Sequence, residues 1–183
     1  KKFHLLIFIT VLLINRNGYA GLTERPIDRN IFGIQFGMGI EEIRKNCTVI
    51  DYPYRKGALE YYGVLSEQLY AKNIFLIKCG LVDGKVIFIN VVYRPAYSST
   101  IGWENFKKQF VDKFGQNSPK EILEYTENYY NWDVSVVHDE FFIKEVLGWS
   151  DGLTTLYIVN AYNKTENVDL FMCTYLDALM AQK

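Results

Sequence analysis

Two sets of residues in this 183-residue chain have the types, and part of the spacing, needed to break a bond. Gly148-Trp149-Ser150-Asp151-Gly152 matches the G-x-S-x-G elbow, in which a strained turn between a strand and a helix presents a nucleophilic serine. That chemistry also needs a histidine later in the chain, and none follows Ser150. The residues after the motif, 153–159, read as a strand rather than a helix, so the sequence predicts a hairpin turn. The second set is a thiol paired with an imidazole. If His4 leaves with the leader described below, His138 is the sole imidazole, and it could activate Cys47 or Ser150. One imidazole cannot build a site of several histidines. His138 and Asp139 are strand neighbours pointing to opposite faces, so they do not converge on a cation either.

The glycines at 33, 37 and 39 are not followed by the Lys-Ser/Thr of a phosphate-cradling loop, and no cofactor or metal is expected. The primary expectation is therefore a non-catalytic protein. A small secreted hydrolase or transferase using Cys47 or Ser150 with His138 stands as the alternative.

Lys1 and Lys2 precede an apolar run from Phe3 to Ile14, and Gly18-Tyr19-Ala20 supplies small residues where a leader is cut. This is the layout of a secretory signal peptide over residues 1–20, too short in its apolar part to span a bilayer. Its removal takes three of the 20 basic residues and none of the 21 acidic ones, leaving a formal charge of −4. Such a balance offers no electrostatic grip on a nucleic acid. No cysteine follows position 20 for acylation, so no stable membrane anchor is expected after cleavage. Periplasmic or secreted localisation makes a disulfide possible, and Cys47 with Cys79 is the candidate pair. Cys79 also shares strand parity with Phe75, Ile77 and Leu81, which reads equally as a small buried hydrophobe.

The remaining residues, 21–183, suit one α+β domain. Gly39 stands three residues before Glu42, which predicts a short helix from residue 40 to about 46. Residues 73–81 and 85–93 are rich in Val, Ile and Phe and joined through Asp83-Gly84, the signature of a tight hairpin. The second of these strands is apolar on both parities and belongs at the centre of a sheet. Residues 58–65 are expected to pair beside them. Trp103, Phe106, Phe110, Val111 and Phe114 recur at helical spacing with Gly115 as the stop, so a helix should lie across the sheet. Strands are expected at 132–139, 141–147 and 153–159. Val168, Phe171, Met172, Tyr175, Leu176, Leu179 and Met180 after Asn163-Lys164-Thr165-Glu166 predict a second main helix over 165–181. The expected architecture is an antiparallel sheet of about six or seven strands, packed on one face by two main helices plus a short N-terminal helix.

Tyrosines cluster at Tyr54, at Tyr61 and Tyr62, and at Tyr129 and Tyr130. Tyrosine offers rigid contact area with a polar tip, so these are the candidate binding residues. The expected partner is another envelope or secreted protein, with the oligomeric state left open.

The run Phe32-Gly33-Ile34-Gln35-Phe36-Gly37-Met38-Gly39-Ile40-Glu41-Glu42-Ile43, the strand-Asp83-Gly84-strand unit and the helix from Trp103-Glu104-Asn105-Phe106 to Lys113-Phe114-Gly115 resemble small bacterial exported α+β proteins. More distantly, the Gly-Met step before a Glu-rich helix is similar to outer-membrane-assembly lipoproteins of the SmpA/OmlA type and to beta-lactamase inhibitory proteins. The resemblance implies a binding module without catalysis, or an inhibitor of a secreted enzyme.

Overall fold

The computed structural model describes residues 21–56, 59–116 and 141–178. In chain order the elements are β1 (Gly21–Leu22), β2 (Asn30–Ile31), β3 (Ile34–Gln35), α1 (Ile40–Arg44), β4 (Thr48–Lys56) and β5 (Leu59–Leu65). There follow α2 (Glu67–Ala71), β6 (Ile74–Val82), β7 (Lys85–Tyr93), α3 (Pro95–Ile101), α4 (Trp103–Phe114), β8 (Phe141–Ser150), β9 (Thr154–Asn163) and β10 (Val168–Asp177). The main sheet runs β1-β8-β9-β10-β7-β6-β5-β4, antiparallel except where β1 lies parallel to β8. β2 and β3 pair separately. The segment 1–20 expected to be a signal peptide, the strand expected at 132–139, Tyr129, Tyr130 and His138 lie outside the described residues.

Local chemistry accounts for the joints. Asp83 and Gly84 take φ of 50° and 69°, the mirror-image turn whose twist matches the paired strands β6 and β7. The carboxylate of Glu42 accepts the Gly39 N–H at 2.7 Å, which closes the first turn of α1 as the spacing predicts. Pro95 opens α3 at a position where its missing N–H costs nothing. That helix was not legible in the sequence. α4 ends at Gly115, whose φ of 89° suits the stop.

One face of the sheet takes the helices. Phe106 is 1% exposed and meets Phe171 at 5.0 Å and Tyr93 at 5.2 Å between ring centroids, while Trp103 meets Phe171 and Phe114 meets Trp149. The Trp149 indole N–H donates to the Gly115 carbonyl at 3.1 Å, fastening the end of α4 to β8. The opposite face carries its own apolar row, Leu76-Val92-Met172-Val159-Val146, running across five paired strands.

The helix expected over 165–181 is instead β10. It pairs with β9 in an unbroken register from Val168 opposite Asn163 to Asp177 opposite Thr154, and with β7 on its other side. A central strand is covered on both faces, so apolar residues fall on both parities, and Leu170 to Thr174 are all buried. Such a run also satisfies a helical period by accident. The Asn163 side chain, expected to start a helix, accepts the N–H groups of Thr165 and Glu166 at 2.9 and 3.0 Å, and Asn167 has φ of 57°. These contacts build the β9–β10 turn.

Truncating Phe106 to Ala removes the ring at the centre of the helix-to-sheet contact. The expected loss is about 3–5 kcal/mol of unfolding free energy, measured by urea titration with the slope unchanged.

Candidate functional site

The Gly148-to-Gly152 motif forms the end of β8 and the turn into β9. Ser150 Oγ accepts the Gly152 N–H at 3.3 Å and the Thr155 hydroxyl at 3.4 Å, and no helix follows it. Asp151 is a clasp: its carboxylate accepts the N–H groups of Leu153 (3.0 Å), Thr154 (2.7 Å) and, from the far side of the sequence, Ile27 (2.7 Å). Burial alone would raise its pKa, but the hydrogen bonds from Ile27, Thr154 and Leu153 outweigh that and hold it below the ordinary carboxylate range. A carboxyl depressed in the native state stabilises above its unfolded pKa near 3.9, and the contribution fades as pH falls through the native value. Asp151→Ala is therefore expected to cost about 1–3 kcal/mol at neutral pH, with the difference from the parent shrinking below about pH 4 in urea titrations.

The cysteines are free thiols. The expected Cys47–Cys79 bridge is not formed: Cys79 pairs with Tyr62 on β5, whereas Cys47 precedes β4, whose first residue Thr48 pairs with Leu65. One strand, β5, and several residues of rise lie between the positions, while a disulfide needs Cα atoms within about 7 Å. Cys79 and Cys173 are fully buried, and burial pushes both thiols up. Cys47 is half-buried and raised by burial as well, the opposite of an activated nucleophile. Alkylation by iodoacetamide at pH 7.5 should accordingly modify Cys47 more slowly than a free cysteine, with the rate still climbing above pH 9, and should reach Cys79 and Cys173 only on unfolding.

Of the predicted tyrosines, Tyr61 and Tyr62 have described side chains, and these two do not share a patch. Tyr61 is 3% exposed on the second face, edge-to-face with Phe88, while Tyr62 points to the helix-bearing side and its hydroxyl donates to Glu60 at 3.0 Å. Neighbouring strand residues must diverge in this way. Tyr54 lies on β4, at the outer edge of the sheet.

A hollow of about 470 Å³ forms elsewhere, between the β2–β3 turn, α1 and α2. Phe32, Met38, Glu42, Cys47, Gln68 and Lys72 are among its lining residues. The turn is Phe32-Gly33, with φ of 53° and 88°, and its Gly33 N–H donates to Asn30 Oδ1 at 2.9 Å. Left-handed backbone is natural for Gly33 but costs roughly 1–2 kcal/mol at a bulky residue such as Phe32. The strained ring is 38% exposed, and Lys72 Nζ stands 5.1 Å from its centroid. The hairpin is anchored through its continuation, where the Gly37 N–H donates to the Val86 carbonyl and the Val86 N–H to that of Met38. Arg29, just before the hairpin, binds Asp177, Thr154 and the Leu153 carbonyl and covers the Phe36 ring. Sequence reasoning located this turn but not Phe32, although an aromatic residue where Asn or Asp is usual before Gly was the available signal.

Among the described residues, no group of three or more His, Cys, Asp or Glu side chains could hold a metal, and no helix is long and apolar enough to cross a membrane. No family model, curated protein or solved structure matches the chain. The fold is an α+β arrangement dominated by an antiparallel sheet.

Proposed function

We propose that the chain is an exported, non-catalytic interaction module of the bacterial envelope, and that it presents Phe32 and Lys72 at the rim of the hollow to an envelope or secreted partner. The observation that carries this reading is the left-handed conformation of Phe32. A bulky residue kept in a costly backbone state, part exposed and flanked by a cation, is a feature that stability alone would not maintain. A rigid aromatic on a two-residue turn suits a partner's cleft, and it equally fits the narrower case in which that partner is a secreted enzyme held inhibited. The hydrolase alternative has less support, since the Cys47 thiol is suppressed and Ser150 is committed to its turn.

Replacing Phe32 by Asn tests the reading because the two consequences have opposite signs. Asn-Gly is the preferred pair for this turn, so Phe32→Asn is expected to raise stability by about 1 kcal/mol. Partners captured from the native envelope by the parent chain and identified by mass spectrometry should be lost with Phe32→Asn and retained with a distant control such as Lys164→Ala. Equal capture by parent and variant would remove the hollow from the recognition surface.

A further inference from the structure

The two most exposed large hydrophobic side chains among the described residues, Phe75 at 62% and Tyr70 at 60%, flank the turn that joins α2 to β6. Asn73 builds that turn: it adopts φ of 61°, donates its N–H to the Tyr70 carbonyl at 3.1 Å and accepts the Arg94 N–H at 2.9 Å through its own carbonyl. Phe75 is the extra residue where β6 and β7 change register between Ile74 and Leu76, and a bulge of this kind re-aims a side chain. The Asn73 bond holds Arg94, which precedes α3, beside the end of α2. Two cations therefore share this turn, since Lys72 precedes Asn73 in the chain and Arg94 is bonded to it.

Each of these cations stands over a ring. The Arg94 guanidinium carbon lies 3.9 Å from the Tyr70 ring centroid, and Lys72 Nζ lies 5.1 Å from that of Phe32. Arg29, Lys113 and Lys144 also cover rings, and each of them holds a carboxylate as well, from Asp177, Asp28 and Asp169 respectively. Among the described residues, Lys72 and Arg94 have no such counter-ion and no side-chain hydrogen bond. Glu42, which lines the same hollow as Lys72, gives a carboxylate oxygen to the Gly39 N–H instead. Stacking on a ring leaves the N–H fork of an arginine available to a carboxylate, and it holds the side chain in place beforehand.

We propose that this turn docks an acidic segment of the partner protein, with one carboxylate on the Arg94 fork and a second on Lys72. The argument is charge complementarity: two cations are positioned over Tyr70 and Phe32, lack counter-ions, and lie beside the exposed Phe75, which adds apolar contact area. An anionic bilayer is the poorer occupant. The rings of Tyr70 and Phe32 lie under the cations rather than beyond them, and each basic residue gains only about fivefold at such a surface. The proposal rests on reading the chain as an interaction module and deepens it, extending the surface from Phe32 and Lys72 to Arg94 and giving the partner its charge.

The full chain can be tested with a displayed library of random peptides of about ten residues as the probe, followed by affinity measurements on the enriched peptides in solution. These peptides should carry two or more Asp or Glu residues, and raising NaCl from about 0.05 to about 0.5 M should weaken their binding to the parent at least about tenfold, a readout that needs no variant to fold. Arg94→Gln should lose about tenfold to a hundredfold in affinity and Lys72→Gln at least about threefold, while Arg94→Lys, which keeps the charge but not the fork, should fall between Arg94→Gln and the parent. Enriched peptides without acidic residues, or acidic ones that Arg94→Gln binds as tightly as the parent, would overturn the proposal. Failure of the peptides together with capture of the parent, but not of Arg94→Gln, by vesicles of phosphatidylglycerol and phosphatidylcholine would reassign the surface to a membrane and overturn it too. Peptides lost with Phe32→Asn but indifferent to both Arg94→Gln and Lys72→Gln would sink the acidic partner and leave the interaction module standing, whereas no enrichment and no capture at all would count against both.

Discussion

The seam between β10 and β7 is the contact on which everything else depends. Residues 48–93 form one meander, β4 to β7, and residues 141–177 form another, β8 to β10. Among the described residues of the main sheet, they join only where Met172 to Leu176 pair with Val92 to Phe88. The connecting helices lie over the same junction: Ser98 of α3 accepts the Phe171 N–H at 3.2 Å, and the rings of Trp103 and Phe106 on α4 cover Phe171. A seam buried from both sides demands apolar residues on both parities of both strands, which is what β7 and the middle of β10 supply.

That demand explains which parts of the fold were legible in the sequence. β7 was readable as central because Asp83-Gly84 fixed its start and its nine residues are too few for a typical helix. β10 has an equally two-sided apolar run but lacks such punctuation, and its spacing imitates an amphipathic helix. Pairing with β9 and β7 settled the ambiguity through long-range contacts that no local pattern encodes. α1 and α4 were readable because their stop and start residues act locally: Glu42 on Gly39, and Gly115 at the end of a strongly periodic stripe. α3 was invisible because seven residues beginning at Pro95 carry too little periodicity to register.

The candidate site was less legible than the fold, for a related reason. Turns could be located from glycines, yet what a turn presents depends on elements far away in the chain. Lys72 reaches Phe32 only because α2 and the β2–β3 hairpin converge beside α1. Tyr61 and Tyr62 do not form one patch for the simplest geometric reason, since they occupy opposite faces of one strand. The serine motif at Ser150 shows the converse, because a spacing shared with hydrolases arises here from a turn whose aspartate gathers three backbone donors.

The order of the strands also bears on how the chain reaches its final form. Among the described residues β10 is the last strand in chain order, yet it occupies an interior place, between β9 and β7. Until it is inserted, β7 and β9 each offer a long apolar margin to any neighbouring polypeptide, which is the kind of transient exposure that favours off-pathway association. Closing the main sheet therefore depends on the long-range pairing of β10 with β7, and a chain cut before residue 168 would leave two half-sheets that no other described strand joins.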